Sequence, residues 1–193
     1  MSSRSEGMAP LVLHLNGAPA VGKSTLAGRW AEDHPGTLLL DIDVLRTWVS
    51  GWQKDFAATG AVVRPVAIAM LAAYVAQGRD VVVPQLVANA EELARFRDAA
   101  EAAGARWVEV FVEADDIESR FATRDVGEPH LEAVRRLVAD VPPDQLTQYA
   151  ARLAALAAAT PDAIRLSTRD GEIEAGYDAL CEAVGRLWMT PDD

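Results

Sequence analysis

The strongest constraint on the fold of this chain is the segment GAPAVGKS at residues 17–24. It follows the apolar run Leu11–Leu15 and precedes a segment of helical periodicity from about Ser24 to Asp33. Where a strand turns sharply into a helix, successive backbone N–H groups and the positive end of the helix dipole converge on one point. The segment therefore predicts a strand–loop–helix unit that binds phosphate.

The spacing G-x-x-x-x-G-K-S assigns a role to several residues of this loop. Gly17 and Gly22 permit the turn and the close approach of a phosphate. Lys23 is expected to reach the β- and γ-phosphates of ATP or GTP as a catalytic residue, and the Ser24 hydroxyl to ligate Mg²⁺. The predicted nucleotide-binding residues of the loop and the following helix are Gly17, Ala20, Val21, Gly22, Lys23, Ser24 and Thr25.

Short apolar runs alternate with longer alanine-rich segments along the whole chain, which is typical of βαβ units around a parallel sheet. The predicted strands are Leu11–Leu15, Thr37–Leu40, Val81–Val83, Trp107–Val112 and Ala163–Leu166. Helices are predicted at Ser24–Asp33, from Asp43, at Pro65–Gln77, Ala90–Ala103, Ile117–Thr123, His130–Val138, Asp144–Ala158 and Ile173–Trp188. We expect an α/β P-loop NTPase fold with a five-stranded parallel sheet. Residues 1–193 would form one domain, with a helical lid or insertion at about 115–160.

Composition excludes several classes of protein. Cys181 is the only cysteine, so neither an intrachain disulfide nor a zinc cluster of cysteines can form. The formal net charge of −11 opposes binding to long duplex nucleic acid. Residues 1–10 lack the features of a signal peptide, and no stretch approaches the roughly 20 apolar residues of a membrane helix. We expect a cytoplasmic protein that does not contact a membrane, and its oligomeric state stays open.

The second predicted strand ends in two carboxylates, Asp41 and Asp43, followed by Arg46. A kinase needs a group near the γ-phosphate that accepts the proton of the attacking hydroxyl, and the end of a strand beside the phosphate-loop strand provides such a place. Asp43 is the predicted general base, and Arg46 could bind an anionic group of the acceptor. Alternatively, Asp43 caps a helix that begins there. Asp41 is a predicted substrate-binding residue, or a contact to water on Mg²⁺.

The phosphate loop, the D-x-D-x-x-R pattern and an arginine-bearing segment after the fourth strand resemble one group of P-loop kinases. This group contains the zeta toxins, the chloramphenicol phosphotransferases and the polynucleotide 5′-kinases, which are AAA-type ATP-binding kinases. The resemblance covers residues 11–125. It implies that Asp43 is the general base and that Arg46 holds a substrate phosphate beside the reacting 5′-hydroxyl.

The resemblance also places a lid over the site at the segment that carries Arg120 and Arg124. The two arginines are four residues apart, so they lie on one face of a predicted helix. An arginine on a mobile segment can neutralise the charge that develops during phosphoryl transfer. Both are predicted catalytic residues, with Arg124 preferred. The alternative is that they pair with acidic neighbours on a solvated surface.

Five further residues are predicted near the acceptor or near the base of the nucleotide. Gln85 follows the third strand, where many P-loop proteins have a metal-binding aspartate, and could hydrogen-bond an acceptor. Trp48, with Trp52 and Phe56 at roughly helical spacing, could stack on an acceptor ring or belong to the core. Arg169, after the fifth strand, could stack on the base of the nucleotide.

These features together predict an ATP-dependent phosphotransferase with Mg²⁺ as cofactor. The expected acceptor is the 5′-hydroxyl of a short nucleic acid or a nucleotide-like molecule. A hydroxyl of a small metabolite or antibiotic is the alternative. A regulatory NTPase without an acceptor is an alternative of another class, disfavoured because a switch requires neither the lid arginines nor the carboxylate.

Overall fold

The computed structural model describes residues 8–115, 117, 120, 130–133 and 143–189. Its five strands are β1 Leu11–Asn16, β2 Leu38–Leu39, β3 Val81–Pro84, β4 Arg106–Glu113 and β5 Ile164–Ser167. All neighbouring strands are parallel, in the order β2-β3-β1-β4-β5. This confirms the predicted α/β P-loop NTPase fold with a five-stranded parallel sheet.

Helices cover both faces of the sheet. They are α1 Lys23–Asp33, α2 Ile42–Arg46, α3 Phe56–Val75, α4 Ala90–Ala102, α5 Pro143–Ala158 and α6 Ile173–Met189, with a 3₁₀ turn at Trp52–Lys54. Helix α5 lies between β4 and β5 in the chain, as the predicted helical insertion requires. The predicted helices Ile117–Thr123 and His130–Val138 fall largely outside the described residues, and so does Arg124.

The alternation of side chains along β1 divides the core into two layers. Leu11, Leu13 and Leu15 pack with residues of α1 and α6, whereas Val12 packs with residues of α3 and α4. All six residues of β1 are buried. A strand that is covered by helices on both faces reads as a continuous apolar run, which is why its position is evident in the sequence.

The structure corrects two expectations about the second strand and the helix after it. Strand β3 lies between β1 and β2, so the strand that precedes Asp41 is not the immediate neighbour of the phosphate-loop strand. Helix α2 begins at Ile42, with Asp41 as its N-cap, rather than at Asp43.

Helix α3 begins nine residues earlier than the predicted start at Pro65. The Asp55 side chain caps it by accepting a hydrogen bond from the backbone N–H of Ala58 at 2.8 Å. Pro65 lies inside the helix on its exposed side, as does Ala61, whose carbonyl is the one that a proline cannot hydrogen-bond. Packing of α3 against the sheet outweighs the local preference of proline for a first turn.

The expectation that no segment has the length and hydropathy of a membrane helix is also corrected. Helix α3 spans 20 residues and is apolar enough to cross a membrane by length and composition alone. A helix that flanks a parallel sheet can have the same composition. Val63, Ala67 and Leu71 of α3 pack into the core beside Val81 and Val83 of β3.

We predict opposite outcomes for the same substitution on the two sides of α3. Val63 is 4% exposed and Val62 is 64% exposed. Val63→Ala removes two buried methyl groups and should lower the free energy of unfolding by about 1–2 kcal/mol. Val62→Ala, the control, should change it by less than about 0.5 kcal/mol. Urea unfolding measures both values, and equal losses would contradict the placement of α3.

Candidate functional site

The loop between β1 and α1 has the backbone conformation that the motif predicts. Gly17 has a φ of +151°, and a Cβ atom there would overlap the backbone carbonyl oxygen of Val112 on β4. Ala20, with a φ of +67°, is the one non-glycine residue with positive φ in the described part of the chain. Such strain persists only where the surroundings impose it, and it is concentrated at functional sites.

The ammonium group of Lys23 lies at the phosphate loop. Its Nζ donates hydrogen bonds to the carbonyl oxygens of Gly17 at 2.8 Å and Ala18 at 2.7 Å. The side chain is 9% exposed, whereas Ser24 and Thr25 are exposed on the cavity that the loop borders. A phosphate bound in the loop would therefore meet the ammonium group and two hydroxyl groups.

The metal-binding capacity of the site fits the expected Mg²⁺. The described residues contain no group of three His, Cys, Asp or Glu side chains that could hold an ion. Mg²⁺ binds readily through one or two protein oxygens together with phosphates and water. The exposed hydroxyl of Ser24 would supply such an oxygen.

Asp41 and Asp43 have different environments. Asp41 Oδ1 accepts hydrogen bonds from the backbone N–H groups of Asp43 at 2.9 Å and Val44 at 3.4 Å. Burial, and next the charge of Asp43, raise the pKa of Asp41, and these backbone hydrogen bonds oppose the shift. Because Asp41 makes the capping hydrogen bonds, the alternative that Asp43 is the helix cap is wrong. The Asp43 carboxylate is 29% exposed and borders the cavity.

Arg46 is buried beside Asp43 and held in a fixed position. Its Nε lies 3.4 Å from Asp43 Oδ1, and its Nη1 donates a hydrogen bond to the carbonyl oxygen of Phe56 at 3.2 Å. The guanidinium also lies 4.2 Å from the centre of the Phe56 ring, and Gly60 leaves room for it. Burial lowers the pKa of Arg46, and the charge of Asp43 opposes this shift.

Gln85 follows β3 with an acceptor atom available. The residue is 5% exposed, and its Nε2 donates to the carbonyl oxygen of Leu86 at 3.3 Å. Its buried Oε1 has no hydrogen-bond partner within the described residues. A buried acceptor without a partner costs free energy, which a donor on a ligand would recover.

A single cavity of about 1140 Å³ brings most of the predicted residues together. The predicted site residues that line it are Ala20, Gly22, Lys23, Ser24, Thr25, Asp41, Asp43, Arg46, Gln85, Arg120 and Arg169. Phe56, Arg64, Glu92 and His130 also line it. This volume exceeds the roughly 300–1,000 Å³ of a pocket for one drug-sized ligand, so there is room for two substrates.

Three other predicted residues are placed differently. Trp48 is 72% exposed and does not line the cavity, whereas Trp52 is 9% exposed. The expected single aromatic face does not exist, because Trp48, Trp52 and Phe56 lie in a turn, a 3₁₀ turn and α3 respectively. Gly17 and Val21 belong to the loop but are buried beneath the cavity. Arg124 lies outside the described residues.

Arg120 and Arg169 lie on the side of the cavity formed by the end of β5. Arg120 is 9% exposed and donates to Thr168 Oγ1 at 3.0 Å and to the Thr168 carbonyl at 2.9 Å. Thr168 Oγ1 in turn donates to the carbonyl of Val21 in the phosphate loop at 2.8 Å. Arg169 is exposed, with its Nη1 3.6 Å from Glu172 Oε2.

The sequence did not predict three buried polar residues near the phosphate loop, Asn16, His14 and Glu109. Asn16 Oδ1 accepts hydrogen bonds from the N–H groups of Gly17 at 2.9 Å and Val87 at 3.0 Å. His14 and Glu109 are a pair on the adjacent strands β1 and β4, with Nδ1 and Oε2 2.8 Å apart. The available signal was the occurrence of these polar residues inside strands that are otherwise apolar.

The strand order, the glycine-lined loop and the lysine at the start of α1 define a P-loop NTPase fold. The sequence model of the AAA_33 family, described as an AAA domain, matches residues 12–156. The chain therefore belongs to the AAA_33 family. No curated protein matches its sequence. The zeta-toxin, chloramphenicol phosphotransferase and polynucleotide 5′-kinase group remains a resemblance within that assignment.

Solved structures support the fold over nearly the whole chain. The APS kinase of Mycobacterium tuberculosis in complex with AMPPNP and APS is 22% identical, with a TM-score of 0.57 over 92% of this chain and 98% of that one. A gluconokinase from Sinorhizobium meliloti 1021 is 17% identical, with a TM-score of 0.55 over 93% and 94%. The deoxyadenosine kinase of M. mycoides is 8% identical, with a TM-score of 0.56 over 91% and 99%.

The raised pKa of Asp41 predicts a pH-dependent effect of Asp41→Asn. Because the folded-state pKa of Asp41 is raised above 3.8, its contribution to stability is present below that pH and is lost as the pH rises through the folded-state pKa. Asparagine caps a helix equally well and carries no charge. Asp41→Asn should therefore be more stable than the parent at pH 7, and the difference should vanish below about pH 3.8.

Asp41→Ala provides the control because it removes both the charge and the cap. Loss of the cap alone costs about 1 kcal/mol, so this variant should be less stable than Asp41→Asn at every pH. Thermal unfolding as a function of pH measures both variants. If Asp41→Asn were less stable than the parent at pH 7, the raised pKa of Asp41 would be contradicted.

Proposed function

We propose that this chain is a kinase that transfers the γ-phosphate of ATP or GTP to a hydroxyl group of an acceptor. The observation that carries the proposal is that one cavity joins Lys23 and Ser24 to the Asp43 carboxylate. The names of the structurally similar proteins, an APS kinase, a gluconokinase and a deoxyadenosine kinase, agree with this class of reaction.

In the proposed reaction, Asp43 accepts the proton of the acceptor hydroxyl as its oxygen attacks the γ-phosphorus. A new P–O bond forms to the acceptor, and the bond from the γ-phosphorus to the β,γ-bridging oxygen breaks, so that the nucleoside diphosphate leaves. Lys23 balances the charge on the β- and γ-phosphates. Ser24 would hold Mg²⁺, which would supply further neutralisation of the phosphate charge. The proposed catalytic arginines are Arg124 and Arg120.

The acceptor side of the cavity favours a molecule that carries both a negative group and a hydrogen-bond donor. Arg46 is fixed with its charge beside Asp43, and Gln85 Oε1 is a buried acceptor. We propose the 5′-hydroxyl of a short nucleic acid or a nucleotide-like molecule as the acceptor. Of the three aromatic residues expected to stack on an acceptor ring, Phe56 is the one that lines the cavity.

A small metabolite or antibiotic is the second candidate for the acceptor. The charge of −11 is tolerated more easily by a small molecule than by a polyanion. Arg64 and Glu92, which form an ion pair on this side, offer both signs of charge to a small polar ligand. A regulatory NTPase would use the phosphate loop without Asp43 or Arg46.

The two lysines of the chain allow a matched test of the donor site. Lys23→Ala should lower nucleotide affinity and reduce turnover at least about 100-fold, because the phosphates lose the ammonium group nearest to them. Lys54→Ala, in the exposed 3₁₀ turn, should leave both unchanged. Binding of a fluorescent ATP analogue and release of ADP are the measurements. Full activity of Lys23→Ala would refute the proposed function.

Asp43→Asn separates chemistry from binding. It should retain nucleotide affinity but lose transfer by about 100- to 10,000-fold, because the amide cannot accept the proton. Asp98→Asn, on the exposed side of α4, is the control. The assay offers γ-labelled ATP to 5′-hydroxyl oligonucleotides, nucleosides, aminoglycosides and phenicols.

Three outcomes of this assay distinguish the candidates. Label on an oligonucleotide or nucleoside, lost with Arg46→Ala, supports the proposed acceptor. Label on small molecules alone supports the second candidate. Hydrolysis that Asp43→Asn leaves unchanged, without label on any acceptor, supports a regulatory NTPase.

A further inference from the structure

A polar network crosses the apolar interior of the sheet and joins the two sides of the proposed site. We call it the His14–Glu109 network. It consists of His14 and Asn16 on β1, Trp107 and Glu109 on β4, and the backbone of residues 85–87 after β3. His14, Asn16 and Glu109 are 1%, 0% and 5% exposed respectively.

Glu109 is the centre of the network. Its Oε1 accepts a hydrogen bond from Asn16 Nδ2 at 3.1 Å, and its Oε2 accepts one from Trp107 Nε1 at 3.2 Å. The same Oε2 lies 2.8 Å from His14 Nδ1. Placing such a pair in an apolar sheet costs desolvation free energy, and apolar residues of similar volume are often at least as stable. Stability alone therefore does not account for it.

The hydrogen-bond partners determine where His14 carries a proton. Its Nε2 lies 3.0 Å from the carbonyl oxygen of Gln85, which can only accept, so Nε2 must donate. One proton then lies between Nδ1 and the Glu109 carboxyl group, whichever of the two holds it. In both states the pair has no net charge, and His14 holds the backbone at Gln85.

Asn16 provides the link to the phosphate loop. Its side chain satisfies both backbone groups of Val87, donating to the carbonyl oxygen at 2.9 Å and accepting from the N–H at 3.0 Å. The same Oδ1 accepts from the N–H of Gly17, the first residue of the loop. One side chain thus fixes the start of the phosphate loop against the segment that follows β3.

We propose that His14, Asn16 and Glu109 are positioning residues that hold Gln85 in register with the phosphate loop. This inference rests on the proposed function, because Gln85 lies on the acceptor side of the cavity and Gly17 on the donor side. The network would keep the acceptor hydroxyl aligned with the γ-phosphate, where a displacement of about 1 Å can cost 100-fold in rate.

The test replaces the pair with two residues that cannot form hydrogen bonds, His14→Leu with Glu109→Leu. Because the Gln85 carbonyl and Trp107 Nε1 lose these partners, we expect the double variant to fold with a lower thermal midpoint than the parent. Its affinity for Mg-AMPPNP should stay within about threefold of the parent's. We also expect kcat to fall about 10- to 100-fold with little change in the KM for ATP. A kcat equal to that of the parent in the folded double variant would overturn the proposal.

Glu109→Gln serves as the conservative variant. Its Oε1 can still accept from Asn16, and its amide can donate to Nδ1 of a neutral His14 that keeps Nε2–H on Gln85. It should retain most of kcat. If it lost activity as fully as the double leucine variant, alignment by hydrogen bonds would be excluded. Trp107→Phe, which removes a single donor, should behave like the parent.

Hydrogen exchange provides a readout that needs no acceptor. With Mg-AMPPNP bound, amides of residues 85–88 should exchange at least tenfold faster in the double variant than in the parent, while α1 stays equally protected. Unchanged exchange would overturn the proposal even if the kinase assay found an acceptor. If exchange is faster in the double variant but the kinase assay labels no acceptor, only the proposed function is contradicted. If the double variant does not fold, Asn16→Ser should show the same exchange result.

Discussion

The close approach of Gly17 to the carbonyl of Val112 is the constraint on which the site depends. At this point the chain leaves β1 against β4, in a backbone conformation that a Cβ atom would prevent. The turn brings the N–H groups of the loop and the first turn of α1 to the carboxyl edge of the sheet. The positions of Lys23 and Ser24 both follow from this turn.

The strand order determines what can lie opposite the phosphate loop. Because β3 pairs directly with β1, the residues after β3 are the nearest segment on that side, and the end of β2 lies one strand further out. Helix α2 compensates by directing Asp43 and Arg46 back toward the same cavity. The proposed acceptor side of the cavity is therefore built from two strand ends and from α3, which contributes Phe56 beneath Arg46.

Several charged or polar groups are buried around this cavity, each with specific partners. Arg46 is held by Asp43 and by Phe56, and Arg120 by Thr168. Burying such groups costs free energy unless their hydrogen bonds are made, so their positions are defined narrowly. A site for phosphoryl transfer benefits from this rigidity, because its catalytic power comes mainly from positioning and fixed charge.

The sequence by itself determined the phosphate loop, the positions of the five strands and the residues Asp43, Arg46 and Gln85 as neighbours of a strand end. These features depend on local rules: glycine conformations, runs of apolar residues and the meeting of strand ends at one edge of a parallel sheet. Only the tertiary structure decided the strand order, the start of α3, the exposure of Trp48 and the pairing of His14 with Glu109. These depend on contacts between residues far apart in the chain, such as positions 14 and 109, which no local pattern records. The sequence offered two nearby carboxylates, Asp41 and Asp43, as the cap of α2. The backbone geometry after β2 determines that Asp41 is the cap.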